Sequence, residues 1–305
     1  MPVASRLFLQ FNEKNLMMIT LKGGLGVAKF AMVGVLLGGA VAGAPSAFAD
    51  GGSGLETFDG AVRIMKCSGS IVKFPSSQKS DKGLFLTNAH CAANRPSGDQ
   101  VVVNVPESHL VTIMKGAKIA NAMDVHSTKL LYATLKKSDI ALYELDKTFE
   151  ELEKGGVKPR SFAKAAPEVG AELSIPSALW AKNYTCTFNG FVPVLKEGKY
   201  HWEKSLRYSG EKCGLVPGTS GSPIYNKDGE IVGIHNTKNE AGKKCETDNP
   251  CEVDEAGKVS VAQGVTYGQR VDELVGCFES GKIDLNKKGC SLHKGAERKP
   301  KSPAQ

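Results

Sequence analysis

Short stretches of β-type sequence separated by turn residues most strongly constrain how this chain can fold. Seven of them are rich in β-branched residues or alternate between apolar and polar residues, and Gly, Pro, Asn or Ser bounds them. They are residues 70–74, 83–87, 100–105, 140–145, 172–175, 188–194 and 230–234. This pattern of short strands and turns is typical of an all-β protein.

Helical periodicity is confined to two places. Residues 148–154 are charged and precede Gly155 and Gly156, which indicates a short helical turn. Residues 269–280 place apolar side chains at helical spacing and end before Gly281, which predicts a C-terminal helix.

The N-terminal region has the features of an export signal. An apolar run over residues 30–44 follows Lys22 and Lys29, and Ala47-Phe48-Ala49 has the small-x-small pattern that signal peptidase cuts. We therefore predict that residues 1–49 are a signal peptide, that cleavage follows Ala49, and that the protein is secreted and extracellular. The run is shorter than the roughly 20 residues that span a bilayer, so we expect no stable membrane insertion after cleavage. An uncleaved anchor is the alternative.

The remainder divides into one domain with two flanking segments. Residues 50–57 begin with a Gly-rich stretch and indicate a flexible leader or short propeptide, and residues 58–286 form the predicted domain. Residues 287–305 are basic and poor in apolar side chains, which predicts a partly disordered tail held in part by Cys290.

The net charge of the chain, from 39 basic and 32 acidic residues, is too small to indicate nucleic-acid binding. We expect a monomer.

Three short motifs carry the residue types needed for nucleophilic catalysis. They are Leu86-Thr87-Asn88-Ala89-His90-Cys91, Ser138-Asp139-Ile140-Ala141-Leu142 and Pro217-Gly218-Thr219-Ser220-Gly221-Ser222-Pro223. A serine hydroxyl attacks efficiently only when a neutral imidazole takes its proton, and a carboxylate must orient that imidazole. The chain supplies these groups in the order His, Asp, Ser.

These motifs resemble those of the chymotrypsin-like (trypsin-like) serine proteases, especially the bacterial secreted branch related to the glutamyl endopeptidases. The resemblance implies an all-β fold of two antiparallel six-stranded β-barrels with a C-terminal helix. It also implies that Ser220 is the nucleophile, His90 the general base and acid, and Asp139 the orienting carboxylate. No metal and no organic cofactor is implied.

The first glycine of the serine motif, Gly218, has a role that follows from its chemistry. An oxyanion hole needs two backbone N–H groups turned toward one point, and a residue without Cβ at Gly218 can adopt that turn. We expect the N–H groups of Gly218 and Ser220 to form this hole.

Eight cysteines, an even number spread from Cys67 to Cys290, suit extracellular disulfides better than a metal cluster. The family resemblance implies the pair Cys67–Cys91. Cys186–Cys213, Cys245–Cys251 and Cys277–Cys290 are our further expectations among 105 arithmetically possible pairings. A zinc site is the weaker alternative, since the sequence has neither a Cys-x-x-Cys nor a His-x-x-x-His spacing.

The substrate pocket departs from that of trypsin. Gly214 occupies the position where trypsin-like enzymes hold the aspartate that binds Lys or Arg, which argues against tryptic specificity. His235 corresponds to the histidine with which glutamyl endopeptidases receive a substrate carboxylate, and this favours Glu before the scissile bond. Leu215 replaces the hydroxyl residue common in those enzymes, so an apolar preference is the competing expectation.

Taken together, these motifs predict a secreted serine endopeptidase that hydrolyses protein or peptide substrates through an acyl-enzyme. Two alternatives use the same fold. One is a catalytically silent, protease-like binding module, and the other is a secreted esterase with the same triad.

Overall fold

The structure is a computed structural model that describes residues 57–117 and 119–298 of the 305-residue chain. The predicted signal peptide, nearly all of the predicted leader and the last seven residues of the predicted tail lie outside the described residues. The signal peptide, the leader and the disorder of the tail stay predictions.

Six antiparallel strands close the first barrel. They are β1 (Ala61–Ile64), β2 (Cys67–Lys73), β3 (Lys82–Thr87), β5 (Leu110–Lys115), β6 (Ala120–Thr134) and β7 (Ile140–Thr148). The ring runs β1–β2–β3–β7–β6–β5 and back to β1. Strand β4 (Gln100–Pro106) pairs with β6 outside this ring, and β8 (Arg160–Ser161) pairs in parallel with β2.

A second ring of six antiparallel strands follows along the chain. Its members are β9 (Glu172–Ser177), β10 (Lys182–Glu197), β11 (Tyr200–Ser209), β12 (Pro223–Tyr225), β13 (Ile231–Lys238) and β16 (Thr266–Arg270). Strand β14 (Cys251–Val253) pairs with β10, and β15 (Val259–Ser260) pairs with β14. The prediction of an all-β, double-barrel fold is confirmed.

All seven predicted segments overlap strands, although Phe74 follows β2 and Glu230 precedes β13. Six strands of the two rings had no counterpart among the predicted segments, namely β1, β5, β6, β11, β12 and β16. Strands β6 and β11 carry several charged side chains on their exposed faces, which weakens the apolar signal. Their strand conformation comes from pairing on both sides, a tertiary effect.

The chain forms two short helices in its described part. Helix α1 (Phe149–Lys154) confirms the expected helical turn, and it begins with a capping box in which Thr148 and Glu151 satisfy each other's backbone N–H. The C-terminal helix α2 spans only Asp272–Cys277, so the prediction of a helix over 269–280 was too long. Gln269 and Arg270 pair with β13 instead, and β17 (Phe278–Glu279) pairs with β18 (Lys282–Ile283).

Within the described ranges, neither helix is long and apolar enough to cross a membrane.

The two barrels share part of their hydrophobic core. The large apolar cluster of the first barrel includes Ile231 and Ile234 from the second barrel and Leu274 from α2. Helix α2 therefore packs back onto the first barrel after the second is complete. The chain then adds a last short strand, β19 (Ala296–Glu297), in parallel to β4.

Four disulfides crosslink the described residues: Cys67–Cys91, Cys186–Cys213, Cys245–Cys251 and Cys277–Cys290. These are the four pairs expected from the sequence. Because disulfides form and persist in oxidising compartments, they indicate an extracellular or periplasmic environment.

Candidate active site

The first barrel supplies an imidazole and a carboxylate in direct contact. His90 lies in a single 3₁₀ turn, Ala89–Cys91, just after β3, and Asp139 immediately precedes β7. Because β3 and β7 pair, the two side chains meet: Nδ1 of His90 is 2.6 Å from Oδ2 of Asp139. The other carboxylate oxygen accepts the backbone N–H of His90 at 3.0 Å. Asp139 is only 1% exposed, so this carboxylate is held in one orientation.

The electrostatics of this pair favour a basic imidazole. Burial alone would lower the pKa of His90, but the charge of Asp139 and its hydrogen bond outweigh burial and raise that pKa above its usual value. Because Nδ1–H donates its hydrogen bond to Asp139, Nε2 is left as the nitrogen that can accept a proton.

The second barrel supplies the serine hydroxyl. Ser220 lies in the loop between β11 and β12, and the first barrel anchors this loop through a 2.8 Å bond from the Ser68 N–H to the carbonyl of Ser220. The next residue, Gly221, donates its N–H to the carbonyl of His235. Gly221 has a φ of +80°, and a Cβ there would collide with Ser68 and Thr87. The loop can approach the first barrel only because this residue is glycine.

His90, Asp139 and Ser220 line one cleft of about 550 Å³. In this structure, however, Oγ of Ser220 donates a long hydrogen bond of 3.4 Å to the carbonyl of Asn236, and not to the imidazole. Hydrogen bonds between catalytic groups are often long or unformed before substrate binds. The three groups thus line the same cleft, but the hydrogen bond between Ser220 and His90 is not formed.

The backbone N–H groups predicted to form the oxyanion hole are available as hydrogen-bond donors. Among the described residues, none accepts a hydrogen bond from the backbone N–H of Gly218 or Ser220. Gly218 has a φ of +92°, and the indole N–H of Trp180 braces the preceding carbonyl of Pro217 at 2.9 Å. This conformation suits a glycine and leaves two donors unused beside the hydroxyl of Ser220.

The three residues expected to form the specificity pocket are not in the lining of this cleft. None of His235, Gly214 and Leu215 is among the residues that line it. His235 is 4% exposed, and its Nδ1 is 2.8 Å from the hydroxyl of Tyr208. Burial, followed by the nearby charges of His90 and Lys238, lowers the pKa of His235 to about 3, so this imidazole is neutral at physiological pH. Leu215 is buried in the core of the second barrel.

One cluster has the composition of a metal site. Cys67, His90 and Cys91 bring potential ligand atoms within 4.8 Å of one another. Both sulfur atoms belong to the Cys67–Cys91 disulfide, whereas cysteine binds zinc only as a free thiolate. This cluster therefore fits a structural crosslink beside His90 better than a metal centre.

Several residues of the cleft escaped the sequence analysis. Glu197, Trp202 and Asn236 line it, as do exposed side chains such as Arg95 and Lys199. None belongs to a motif, because they reach the cleft from the β10–β11 hairpin, from β13 and from a loop of the first barrel. The hydrogen bond from Nδ2 of Asn88 to the carbonyl of Asp139 joins two of the motifs, and it was missed because a motif does not show which of its side chains meet another motif.

Comparison with known proteins identifies a family over much of the chain. Residues 67–234 match the model of the trypsin-like peptidase domain, a span that includes His90, Asp139 and Ser220 and ends just before His235. No curated protein matches the chain.

Solved structures of proteases show low similarity to this chain. The active form of the Rv3671c protease from M. tuberculosis is 14% identical, with 79% of this chain and 85% of that chain covered and a TM-score of 0.44. The apo MamO protease domain from Magnetospirillum magneticum is 16% identical, with 73% and 97% covered and a TM-score of 0.44. The kallikrein-related peptidase 10 complex with Zn²⁺ is 12% identical, with 71% and 91% covered and a TM-score of 0.42.

The family match over residues 67–234 covers more than half of the 305 residues. The chain therefore belongs to the family of the trypsin-like peptidase domain.

Proposed function

We propose that the protein is a secreted serine endopeptidase in which Ser220, His90 and Asp139 form the catalytic triad. The observation that carries this proposal is the 2.6 Å contact between His90 and a buried Asp139 in the same cleft as Ser220. In the proposed reaction, His90 removes the proton from Oγ of Ser220 as that oxygen attacks the scissile carbonyl. His90 then protonates the leaving amine, and water hydrolyses the acyl-enzyme.

Rotation of the Ser220 side chain is the movement this mechanism requires. The hydroxyl must leave the carbonyl of Asn236 and turn toward Nε2 of His90, and the 3.4 Å bond that it gives up is weak. The unused N–H groups of Gly218 and Ser220 would then stabilise the negative charge on the substrate oxygen.

A fluorophosphonate probe tests the triad directly, because it reacts only with an activated serine. We expect the protein without residues 1–49 to be labelled at Ser220. Ser220→Ala should not be labelled, and labelling of His90→Ala should be strongly reduced. A folded wild-type protein that stays unlabelled from pH 6 to 9 would refute the proposal and favour a silent binding module. Labelling with turnover of small esters but no cleavage of casein or peptides would favour the esterase.

We further propose that the enzyme prefers Glu before the scissile bond through His235. The hydroxyl of Tyr208 has a raised pKa because it is buried, so it stays protonated and can donate to Nδ1 of His235. The proton of His235 then resides on Nε2, from which a neutral imidazole can donate to a carboxylate. An apolar residue before the scissile bond is the alternative, because Leu215 stands where glutamyl endopeptidases commonly have a hydroxyl residue.

Peptide-library cleavage separates these two preferences. If His235 receives the carboxylate, cleavage follows Glu, and His235→Val lowers turnover after Glu far more than turnover after Leu or Phe. Equal losses for both substrate types would contradict the assignment of His235.

A further inference from the structure

The cleft beside Ser220 has a polar wall that the proposed mechanism does not use. The wall consists of Glu197, Tyr200 and Trp202 from the tip of the β10–β11 hairpin, with Asn236 and Thr237 from β13. Because His235, Gly214 and Leu215 do not line this cleft, a substrate side chain bound here would belong to a residue other than the one that His235 contacts.

Glu197 is the most unusual member of this wall. It is 8% exposed, and its Oε1 accepts the backbone N–H of Asp248 at 2.9 Å. Its Oε2 is fully enclosed and has no hydrogen-bond partner among the described residues. Burial raises the pKa of Glu197, against the smaller, lowering effects of hydrogen bonding by the Thr237 side chain and by the Asp248 N–H. A buried carboxylate oxygen without a donor costs free energy unless a ligand supplies one.

The backbone around Glu197 is fixed. Gly198, at the hairpin tip, donates its N–H to the carbonyl of Cys245 at 2.8 Å, and the disulfide Cys245–Cys251 closes the loop that also contains Asp248. Glu197 therefore sits on a crosslinked frame, which is the property of a preorganised site.

Two donors along the same cleft also lack partners. The indole Nε1 of Trp202 and Nδ2 of Asn236 are enclosed and make no hydrogen bond within the described part of the chain. An unmatched acceptor and two unmatched donors thus belong to residues of a single cleft. Native proteins leave few such groups unpaired, and an active-site cleft is where a ligand can pair them.

The charges around the cleft argue for a neutral ligand group. Arg95 and Lys199 line it together with Asp139, Glu197 and Asp248, and because Asp139 is held by His90, the two cations face two remaining carboxylates. A substrate carboxylate would be repelled by Glu197, and a Lys or Arg side chain would leave the two N–H donors unpaired. A carboxamide has both an NH₂ group that donates and a carbonyl that accepts.

We infer that this cleft binds the carboxamide of a Gln or Asn side chain of the peptide substrate, with Glu197 accepting from the NH₂ group and Trp202 donating to the carbonyl. This inference rests on the proposed endopeptidase function, since it assigns a second specificity site to the same cleft. Glu197 and Trp202 are then specificity-determining residues.

A positional peptide library tests the inference. At one position other than that directly before the scissile bond, we expect kcat/KM for Gln or Asn to exceed that for Met, which is similar in size to Gln but cannot donate, by about tenfold to a hundredfold. Comparing kcat/KM for Gln peptides with that for Asn peptides shows which side-chain length fits the cleft. Glu197→Ala should abolish this ratio, and Trp202→Phe, which keeps the ring but removes the N–H, should reduce it by about threefold to tenfold.

The matched control is Glu203→Gln, an exposed carboxylate on β11 that does not line the cleft. It should leave the ratio unchanged. Cleavage without a preference for Gln or Asn, or a preference that survives both Glu197→Ala and Trp202→Phe, would overturn the inference while leaving the endopeptidase intact. A preference for Lys or Arg that depends on Glu197 would overturn it too.

Failure of the endopeptidase function has a different signature, since fluorophosphonate labelling of Ser220 would then be absent. In that case, calorimetric binding of Gln-containing and Met-containing peptides to Ser220→Ala decides the inference. Tighter binding of the Gln peptide that Glu197→Ala removes supports the carboxamide site, and equal binding of both peptides refutes it.

Discussion

At the scale of single residues, the cleft depends on contacts that leave little freedom. Asp139 holds His90 through both a ring nitrogen and a backbone N–H, and it is itself almost fully enclosed. The fixed carboxylate sets both the basicity and the tautomer of the imidazole.

The pH dependence of activity follows from the raised pKa of His90. Because a general base acts only when neutral, kcat/KM should fall as pH drops through that pKa, and the midpoint of this acid limb should lie above 6.5. Asp139→Asn removes the charge that raises the pKa, so it should move the limb to lower pH and reduce kcat by roughly 10⁴-fold. A pH profile of peptide hydrolysis measures both effects. A wild-type limb below pH 6 would contradict this account of His90.

Gly221 is a residue of the serine loop at which a single added methyl group should be damaging. Its positive φ and the collision of a Cβ with Ser68 and Thr87 predict that Gly221→Ala displaces the serine loop. We expect a loss of about 2–4 kcal/mol in the free energy of unfolding and loss of fluorophosphonate labelling. Gly214→Ala is the matched stability control, because a Cβ at Gly214 meets nothing within 4 Å. Similar unfolding midpoints for the two variants would count against this steric explanation.

At the scale of secondary structure elements, a buried carboxylate ties three parts of the first barrel together. Glu107 follows β4 and accepts the hydroxyl of Tyr143 on β7 at 2.6 Å. It also accepts the backbone N–H groups of Ala93 and Asn94, at 3.2 and 3.1 Å, from the loop that follows His90. Glu107 therefore helps to position the segment that carries the imidazole.

The pKa of Glu107 makes its contribution to stability testable. Burial alone would raise this pKa, but hydrogen bonds from His109, Tyr143 and Asn94 outweigh burial and lower it from 4.5 to about 2. A lowered pKa corresponds to roughly 3 kcal/mol of stability that is present above pH 4.5 and is lost as pH falls toward 2.

Glu107→Gln should therefore destabilise the protein by about 2–4 kcal/mol at neutral pH, and the difference from wild type should shrink as pH falls from 4.5 toward 2. Chemical denaturation at a series of pH values measures this difference. Glu153→Gln, at an exposed ion pair with Lys73, should cost less than about 1 kcal/mol. An effect of Glu107→Gln as small as that of the control would contradict the assigned role.

At the scale of the whole molecule, the two barrels interlock around the cleft. The hydroxyl of Tyr225 in the second barrel lies 3.2 Å from that of Ser70 in the first, and the Ser68 N–H holds the carbonyl of Ser220. The shared apolar cluster, which includes residues of α2, adds further contacts between the two barrels. Residues of the second barrel thus complete the core of the first.

This interlocking predicts that the barrels unfold together. Both tryptophans, Trp180 and Trp202, lie in the second half of the fold, so their fluorescence reports unfolding there, whereas fluorophosphonate labelling requires both barrels. The two denaturation curves should coincide, and Tyr225→Phe should shift both by about 0.5–1.5 kcal/mol. Two separated transitions would show that the barrels are independent.

Local sequence was sufficient for the strands with a strong apolar or alternating pattern, for the capped helix α1, and for the three motifs that contain His90, Asp139 and Ser220. These features depend on residues close together in the chain, so their signal is local. The length of α2 was overestimated because the pairing of Gln269 and Arg270 with β13 overrides their helical periodicity. Strands β6 and β11 were missed for a related reason, since their neighbours supply the hydrogen bonds that hold them.

The polar wall of the cleft is formed by tertiary structure alone. Glu197, Trp202 and Asn236 come from different strands and belong to no motif, and they become unusual only when folding encloses their polar atoms without partners. The same holds for His235, whose neutral state results from its enclosure next to Tyr208. A sequence determines which side chains are present, but burial and distance determine which of them are ionised, paired or left to a ligand, and both arise only when the two barrels close on each other.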